Sequence, residues 1–380
     1  MKIQHTFRLN RVKWRHWLLL VLLLLVTLVK MIPLWGFIYT TRIYPIIGTL
    51  LSPISGFFPF AVGDIFIALS IAWVIFYPIY EIGLRKKLAR RYFFLAAKRG
   101  SYSKKKVVFG RVAEYLLWVY AWFYIAWGLN YSQPNIYDRT GMKPVKVSEA
   151  KFKAFAYQYA DSLNALSISE KSFFSDSIAD DGLKNRVWDA ILKEYNKIGY
   201  KEGINAPFNQ HPHAKTMVFT PISSMSGVTG SMGPFFCEFT LNGDILPHDY
   251  PATYAHEFAH FLGVANEGEA NFYSYIVCTA SADKQVRFSG YYHIFFHVLN
   301  NVFDILGEKE GERFLKYIRP EIIQLAKSDR HYWLSKRCKA LDAAQDFIFD
   351  FYLKGNHVAE GRKSYSGVIG LILAWNEKKE

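Results

Sequence analysis

The chain has 380 residues, of which 51% are hydrophobic and 17% aromatic; this excludes a disordered polypeptide and allows a membrane part beside a soluble domain with its own core. Its net charge of +14 points to a nucleic-acid partner only until the charge is mapped: residues 1–16 hold five Lys/Arg, residues 84–111 hold eleven, and neither stretch contains an Asp or Glu. The other 30 basic residues face 32 acidic ones, so the rest of the chain is near neutral and no nucleic-acid partner is expected.

In chain order, the first element is an apolar run from Trp17 to Val29 that continues past Lys30 and Pro33 to about Phe37. Crossing a bilayer takes roughly 20 apolar residues, so Lys30 is expected to reach for the interface. A basic start and a Leu-rich run also suit a cleaved signal peptide. No small-x-small cleavage site follows, however, and a retained anchor is the better reading. Residues 40–62 are apolar but broken by Pro and Gly, which suits an interfacial or re-entrant segment. Ile65–Ile82, bracketed by Asp64 and Glu81, reads as a second span. Val112–Leu129, with aromatic residues at its far end, reads as a third. Spans near 17–37, 65–82 and 112–129 would make residues 1–129 a three-helix transmembrane region. The positive-inside rule places the basic tail and the basic loop 84–111 in the cytoplasm. An odd number of spans then puts residues 130–380 on the periplasmic or extracytoplasmic side of a bacterial inner membrane.

From Asn130 the pattern is that of a soluble domain, mostly α with a small β-sheet. Helices are expected from Ser148 through Leu163, Asp176 to Ile198, Asp283 to Leu306, Glu312 to Lys327 and His331 to Leu353. Lys215–Thr220 and Phe235–Leu241 alternate like strands, and Ser226–Gly233 between them reads as a turn or mobile loop. Cys237, Cys278 and Cys338 lack the spacing of a zinc ribbon or a disulfide framework, so buried thiols are expected, with one bridge at most. Val368–Trp375 is apolar but too short to span.

The segment Tyr254–Leu262 has helical composition and contains His256-Glu257-Phe258-Ala259-His260. Imidazoles at i and i+4 lie on one helix face about one turn apart, the separation needed to share one Zn2+ ion. Glu257 then projects beside the metal, where it can take a proton from water that zinc has acidified. This His-Glu-x-x-His spacing is the zincin signature. A catalytic zinc wants a third protein ligand and an open position. Gly263 can end the helix in the left-handed conformation, Asn266 can cap the next helix, and Glu267 in its first turn can point back at the metal. Glu269, two residues on and roughly on the opposite face, is the alternative ligand. Asn271 shares the face of Glu267 and can orient a ligating imidazole.

Upstream, Met232–Leu241 suits an edge strand that pairs with extended substrate, making Gly233, Phe235 and Phe236 substrate-binding candidates; an ordinary core strand is the plainer reading. His293 and His297 are also spaced i and i+4. No Glu follows the first of them, and their aromatic helix suits a packed face. His211 and His213 read as solvated loop residues. His331, Tyr332 and Tyr365 are candidates for stabilising an oxyanion.

The Asn266-Glu267-x-x-x-Asn271 run resembles the Asn-Glu-x-x-x-Asp motif of gluzincins such as thermolysin and the Glu-x-x-Ala-Asp motif of the Ste24/HtpX-type membrane peptidases. That resemblance implies a zincin-like α+β fold, zinc held by His256, His260 and Glu267, Glu257 as general base, and Asn271 standing where those families have Asp. The interval from His260 to Glu267 is much shorter here than in those families. The chain is also similar, over nearly its whole length, to a family of uncharacterised bacterial membrane proteins. The features are Phe58-Pro59-Phe60-x-Val62-Gly63-Asp64, the His-Glu-Phe-Ala-His and Asn-Glu-x-Glu-Ala-Asn-Phe core, and Tyr352-Leu353-Lys354-x-Asn356 with Ser364-Tyr365. The resulting expectation is a membrane-anchored zinc-dependent metallohydrolase acting on a peptide or protein substrate. A non-catalytic membrane sensor or assembly factor that keeps the zinc site is the alternative. A transporter is disfavoured, because the spans carry no paired intramembrane charges.

Overall fold

The computed structural model describes residues 13–91, 101–145, 148–167, 179–199, 202–209, 214–341 and 367–379, with side chains for all of these except 84–91, 101–104 and 167. His211, His213, Tyr365 and the 352–356 stretch lie outside the described residues.

Three long helices begin the chain: Trp14–Met31, Val62–Arg91 and Ser101–Ala126. Two of them are long and apolar enough to cross a membrane, over Trp14–Met31 and Val62–Gly83, and only 11% and 6% of those windows are buried. The expected third span, 112–129, is not a third such helix. Its helix stops at Ala126, residues Gly128–Ser132 turn off as a 3-10 helix, and Arg111, Glu114 and a run of Tyr and Trp lower its hydropathy. Those polar groups have local uses. Arg15 Nε pairs with Glu114 at 2.9 Å and Lys30 Nζ donates to Tyr124 Oη at 2.9 Å, so the first and third helices run parallel. Ser70 bonds Tyr115 at 2.7 Å and Arg111 donates to Tyr77 at 2.8 Å, so the second helix runs antiparallel to the third.

The first helix ends at Met31 rather than near Phe37, and three short helical pieces follow it into the broken segment expected over 40–62: Pro33–Ile38, a π-turn at Tyr39–Ile43, and Tyr44–Gly56. Pro33 and Pro45 stand in first turns, where a missing N–H breaks no helical bond.

Further on, the expected helix from Ser148 is Glu149–Ser167, and the next is Asp181–Lys197, capped by Asp180 onto Leu183 N at 2.7 Å. The single helix expected over 283–306 is broken at Ile294 into Lys284–His293 and Phe295–Leu306. The helix expected over 312–327 is divided at Pro320, which can only start a helix, into Glu308–Tyr317 and Pro320–Lys336; of the helix expected over 331–353, residues 342–353 lie outside the described residues.

The sheet has three strands, β1 (Lys215–Thr216), β2 (Gly230–Gly233) and β3 (Glu238–Leu241), in the order β1-β3-β2. β1 is parallel to β3, and β2 is antiparallel to it, with Gly230 opposite Leu241 and Gly233 opposite Glu238. Of the expected first strand 215–220 only Lys215–Thr216 is strand, and the short helix Thr220–Ser226 follows, started by Pro221 and ended by Gly227 at φ +74°. The expected loop before Gly233 contains β2. The hydrophobic core runs without a break from Val26, Tyr39 and Tyr44 through Trp127 to the His-bearing helix and Trp375, so packing continues across the expected 129/130 boundary. The apolar C-terminal segment is the helix Val368–Lys379, whose Trp375 packs edge-on to Phe272. Cys237 and Cys278 are buried free thiols, and Cys338 is exposed.

Candidate metal centre

The motif lies on the helix Tyr250–Phe261, every residue of which is buried. Tyr254, Phe258 and Phe261 meet the ring of Phe239 from β3 at 5.2, 5.9 and 5.7 Å, which leaves the other face for His256, Glu257 and His260. A helix leaves its last carbonyls without internal partners. Here four consecutive ones are taken by distant side chains. Trp127 Nε1 donates to His260 O (3.0 Å), Tyr44 Oη to Phe261 O (2.6 Å), Asn205 Nδ2 to Leu262 O (2.8 Å) and Gln133 Nε2 to Gly263 O (2.7 Å). Gly263 takes φ +96°, and a Cβ there would press on Asn130, Tyr44 and Asn205. This tight turn returns the chain at Asn266, which caps the helix Glu267–Ala280 by accepting Glu269 N at 3.0 Å.

The turn brings three donors to one point. His256 Nε2 and His260 Nε2 are 3.0 Å apart, and a Glu267 carboxylate oxygen lies 3.2 and 3.4 Å from them. The other ring nitrogens are committed elsewhere. His260 Nδ1 donates to Val264 O at 2.6 Å and His256 Nδ1 to Asn271 Oδ1 at 2.8 Å. With both Nδ1 atoms protonated, both neutral Nε2 atoms present lone pairs to each other and to the carboxylate. Three facing lone pairs repel unless a proton or a metal cation lies between them. The electrostatics say the same. Burial opposes a charged His260, yet Glu267 overrides it and lifts the imidazole to about 9. Burial likewise opposes ionised Glu267, and the two histidines hold it well below the ordinary carboxylate range. The two-imidazole, one-carboxylate donor set fits zinc, which takes N and O ligands.

Glu257 is buried beside this cluster, and its Oε2 has no hydrogen-bond partner among the described residues. Burial raises its pKa, His256 and His260 pull it down, and Glu267 pushes it up again. Its carboxylate lies against Gly230 of β2, where any Cβ would collide with it. Gly at this position is therefore a packing requirement.

Glu269, the alternative ligand, points away. Its carboxylate accepts Arg139 Nη2 at 2.5 Å and Ile136 N at 3.1 Å, while Asn271 takes the orienting place expected of it. Among the substrate-binding candidates, Gly233 ends β2 opposite Glu238, but Phe235 and Phe236 lie in the β2–β3 turn. Their rings meet Phe66 at 4.9 and 5.6 Å, so they fasten the hairpin to the apolar helix. Tyr332 donates to Asp244 O at 2.7 Å, and His331 is exposed. Neither is brought to the cluster.

Sequence reasoning missed three contributors. His293 Nε2 reaches Asn271 Oδ1 at 2.9 Å, so one amide serves two imidazoles; burial lowers His293 to about 3, keeping it neutral. Gly230 and Trp127 are the others. A short-range pattern carries no trace of partners that lie 22 to 133 residues away. A second buried cluster joins His248 Nε2 to both oxygens of Asp329 at 2.9 Å, with Tyr292 donating to the same carboxylate and Asp249 at 3.7 Å from His248. It ties the loop before the motif helix to the helix Pro320–Lys336.

This is a mostly helical protein with two apolar helices of membrane-crossing length and a buried His-His-Glu cluster at the centre of its core. The chain belongs to the family described as protein of unknown function DUF3810, which matches residues 39–373. No curated protein and no solved structure matches it.

Proposed function

We propose that this chain is a membrane-anchored, zinc-dependent metallohydrolase, a peptidase of gluzincin type, with His256, His260 and Glu267 holding the metal. The observation that carries the reading is the convergence of three lone-pair donors beside a buried carboxylate oxygen that lacks a partner. Bound there, zinc supplies a Lewis acid that polarises a carbonyl and acidifies water. Glu257, desolvated against Gly230, takes the proton from water and hands it to the leaving amine nitrogen. Burial raises its pKa, the direction that suits a group which must both take up and release the proton. Asn271 and Val264 O hold the two imidazoles in the tautomer that leaves Nε2 free. β2 pairs on one side only among the described residues, so its outer edge can accept an extended substrate backbone alongside Glu257.

The third long helix is read as a membrane pass whose polar side chains pair with its neighbours: its parallel and antiparallel pairings give the alternating directions of three passes. The soluble part engages the helices at Tyr44, Gly63, Asp64, Trp122 and Trp127, all at one end, while Lys13, Arg15, Arg111 and the backbone of 84–91 lie at the other. By the positive-inside rule the site then faces the extracytoplasmic side.

A second reading, a sensor or assembly factor with a structural metal, draws on the enclosure of the ligands, whose side chains are only 8–12% exposed. Glu257→Gln separates the two. In the full-length chain, purified in detergent, one zinc per molecule is expected in both forms. Hydrolysis of an unfolded protein substrate should fall by about 10²–10⁴ in the variant. A folded wild-type chain that takes up no zinc would sink the proposal, and equal cleavage by both forms would remove Glu257 as the base.

A further inference from the structure

The soluble part carries an apolar surface of its own, on the short helix between β1 and β2. Thr220–Ser226 is fixed on one side by polar bonds: Ser224 Oγ donates to Asp244 Oδ2 at 2.7 Å, and Met225 O accepts Cys338 N at 2.9 Å. Its other side bares Phe219, Ile222 and Met225 at one-turn intervals, 39, 56 and 41% exposed, with Val218 beside them at 38%. No charged residue occurs from Val218 to Ser226. Water-facing surfaces seldom group large apolar side chains in this way without an interaction partner.

The position of this helix identifies the partner. Val218 N donates to Asp64 Oδ2 at 2.8 Å, and Asp64 opens the apolar helix Val62–Gly83, whose sides are almost wholly bare. One strand earlier, Lys215 Nζ donates to Phe60 O at 3.0 Å, beside the exposed rings of Phe57, Phe58 and Phe60. The bare side of Thr220–Ser226 is thus continuous with the surface of a helix apolar enough to span, at the level where that helix begins. We propose that Phe219, Ile222 and Met225 insert into the lipid leaflet around Val62–Gly83, making the soluble part monotopic as well as tethered. An amphipathic segment with one apolar face buries that face at the headgroup–acyl boundary. β2 starts four residues after this helix ends, so the strand against Glu257 is held beside the bilayer. The inference rests on the membrane reading of Val62–Gly83.

The test keeps those two readings apart. In the full-length Cys338→Ser chain, which leaves only the buried Cys237 and Cys278, single cysteines at Ile222, Leu69 and Lys309 are labelled with an environment-sensitive fluorophore. The labelled chains are then placed in phosphatidylcholine–phosphatidylglycerol vesicles with acyl chains brominated near the headgroup or near the chain end. Insertion predicts that Ile222→Cys is quenched most by shallow bromines, Leu69→Cys most by deep ones, and Lys309→Cys by neither. Quenching at Leu69 with none at Ile222 overturns the proposal while the span stands, and assigns the patch to cover by protein. No quenching at either overturns the span and the proposal together. Met225→Cys on the same face gives the answer if the Ile222 variant does not fold.

Discussion

Replacing Asn271 by Ala removes a single oxygen that accepts from His256 Nδ1 at 2.8 Å and from His293 Nε2 at 2.9 Å. His256 is buried and His293 half-buried, so water does not restore both bonds cheaply. Each unsatisfied buried N–H costs about 1–3 kcal/mol. His256 relieves that cost by rotating, which turns its Nε2 away from His260 and Glu267. Losing an orienting partner of this kind lowers metal affinity by about 10–100-fold, or about 1.4–2.7 kcal/mol. Asn271→Asp should act in the opposite sense, because an ionised acceptor makes a bond roughly twice as strong. The assay is competition for zinc between the full-length chain and a chelating dye. Affinity is expected to fall from Asn271→Asp through wild type to Asn271→Ala, with His256→Ala below all three. If Asn271→Ala binds zinc within about twofold of wild type while His256→Ala does not, the amide does not orient the ligand.

Glu269→Ala should unfold the chain more easily by about 3–5 kcal/mol, because it strands buried Arg139 without its carboxylate. Zinc stoichiometry in the folded fraction should be unchanged, and its loss there would restore Glu269 as a ligand. Burial raises Asp249 from 3.8 to about 6, with His248 opposing and Asp329 adding to the rise. A carboxyl that binds its proton more tightly when folded contributes stability at low pH, and that contribution is lost as pH rises from about 4 to about 6. Asp249→Asn should therefore raise Tm at about pH 7.5 and leave it unchanged near pH 4; a lowered Tm at the higher pH would show that Asp249 serves instead as a charged partner of His248. Trp127→Phe removes the side-chain donor to His260 O, which keeps Gly263 N at 3.0 Å, and should cost about 0.5–1.5 kcal/mol. A fragment starting at Asn130, which lacks both Trp127 and Tyr44, should bind zinc more weakly than the full chain. Equal affinity would mean that the helix end holds itself.

The candidate site was legible in the sequence where its geometry is local. His256, Glu257 and His260 sit within little more than one helical turn, whose pitch leaves no choice about the face they share. Gly263 and Asn266 are the ordinary chemistry of a helix stop and a helix start, so a return of the chain toward the histidines was readable, and with it Glu267 and Asn271. The choice between Glu267 and Glu269 leaned on helical phase, and it is Arg139, 130 residues upstream, that holds Glu269 elsewhere. β2 was unreadable: Gly-Ser-Met-Gly has no strand propensity, and only pairing with β3 and the space over Glu257 make it a strand. Phe235 and Phe236 misled for the opposite reason. Their propensity is that of a strand, but Phe66 recruits them into a turn. The apolar runs at 17–29 and 65–82 declared themselves by composition alone, whereas the helix at 101–126 carries Arg111, Glu114 and Tyr115, whose partners on the two neighbouring helices no local pattern reveals. Spacing along the chain thus determined the face shared by His256, Glu257 and His260 and the two most apolar helices, since both follow from covalent order and helix pitch. Contacts between residues distant in sequence decided which carboxylate joins the histidines, which strand covers Glu257 and what holds the end of the motif helix, because those depend on where the chain returns in three dimensions.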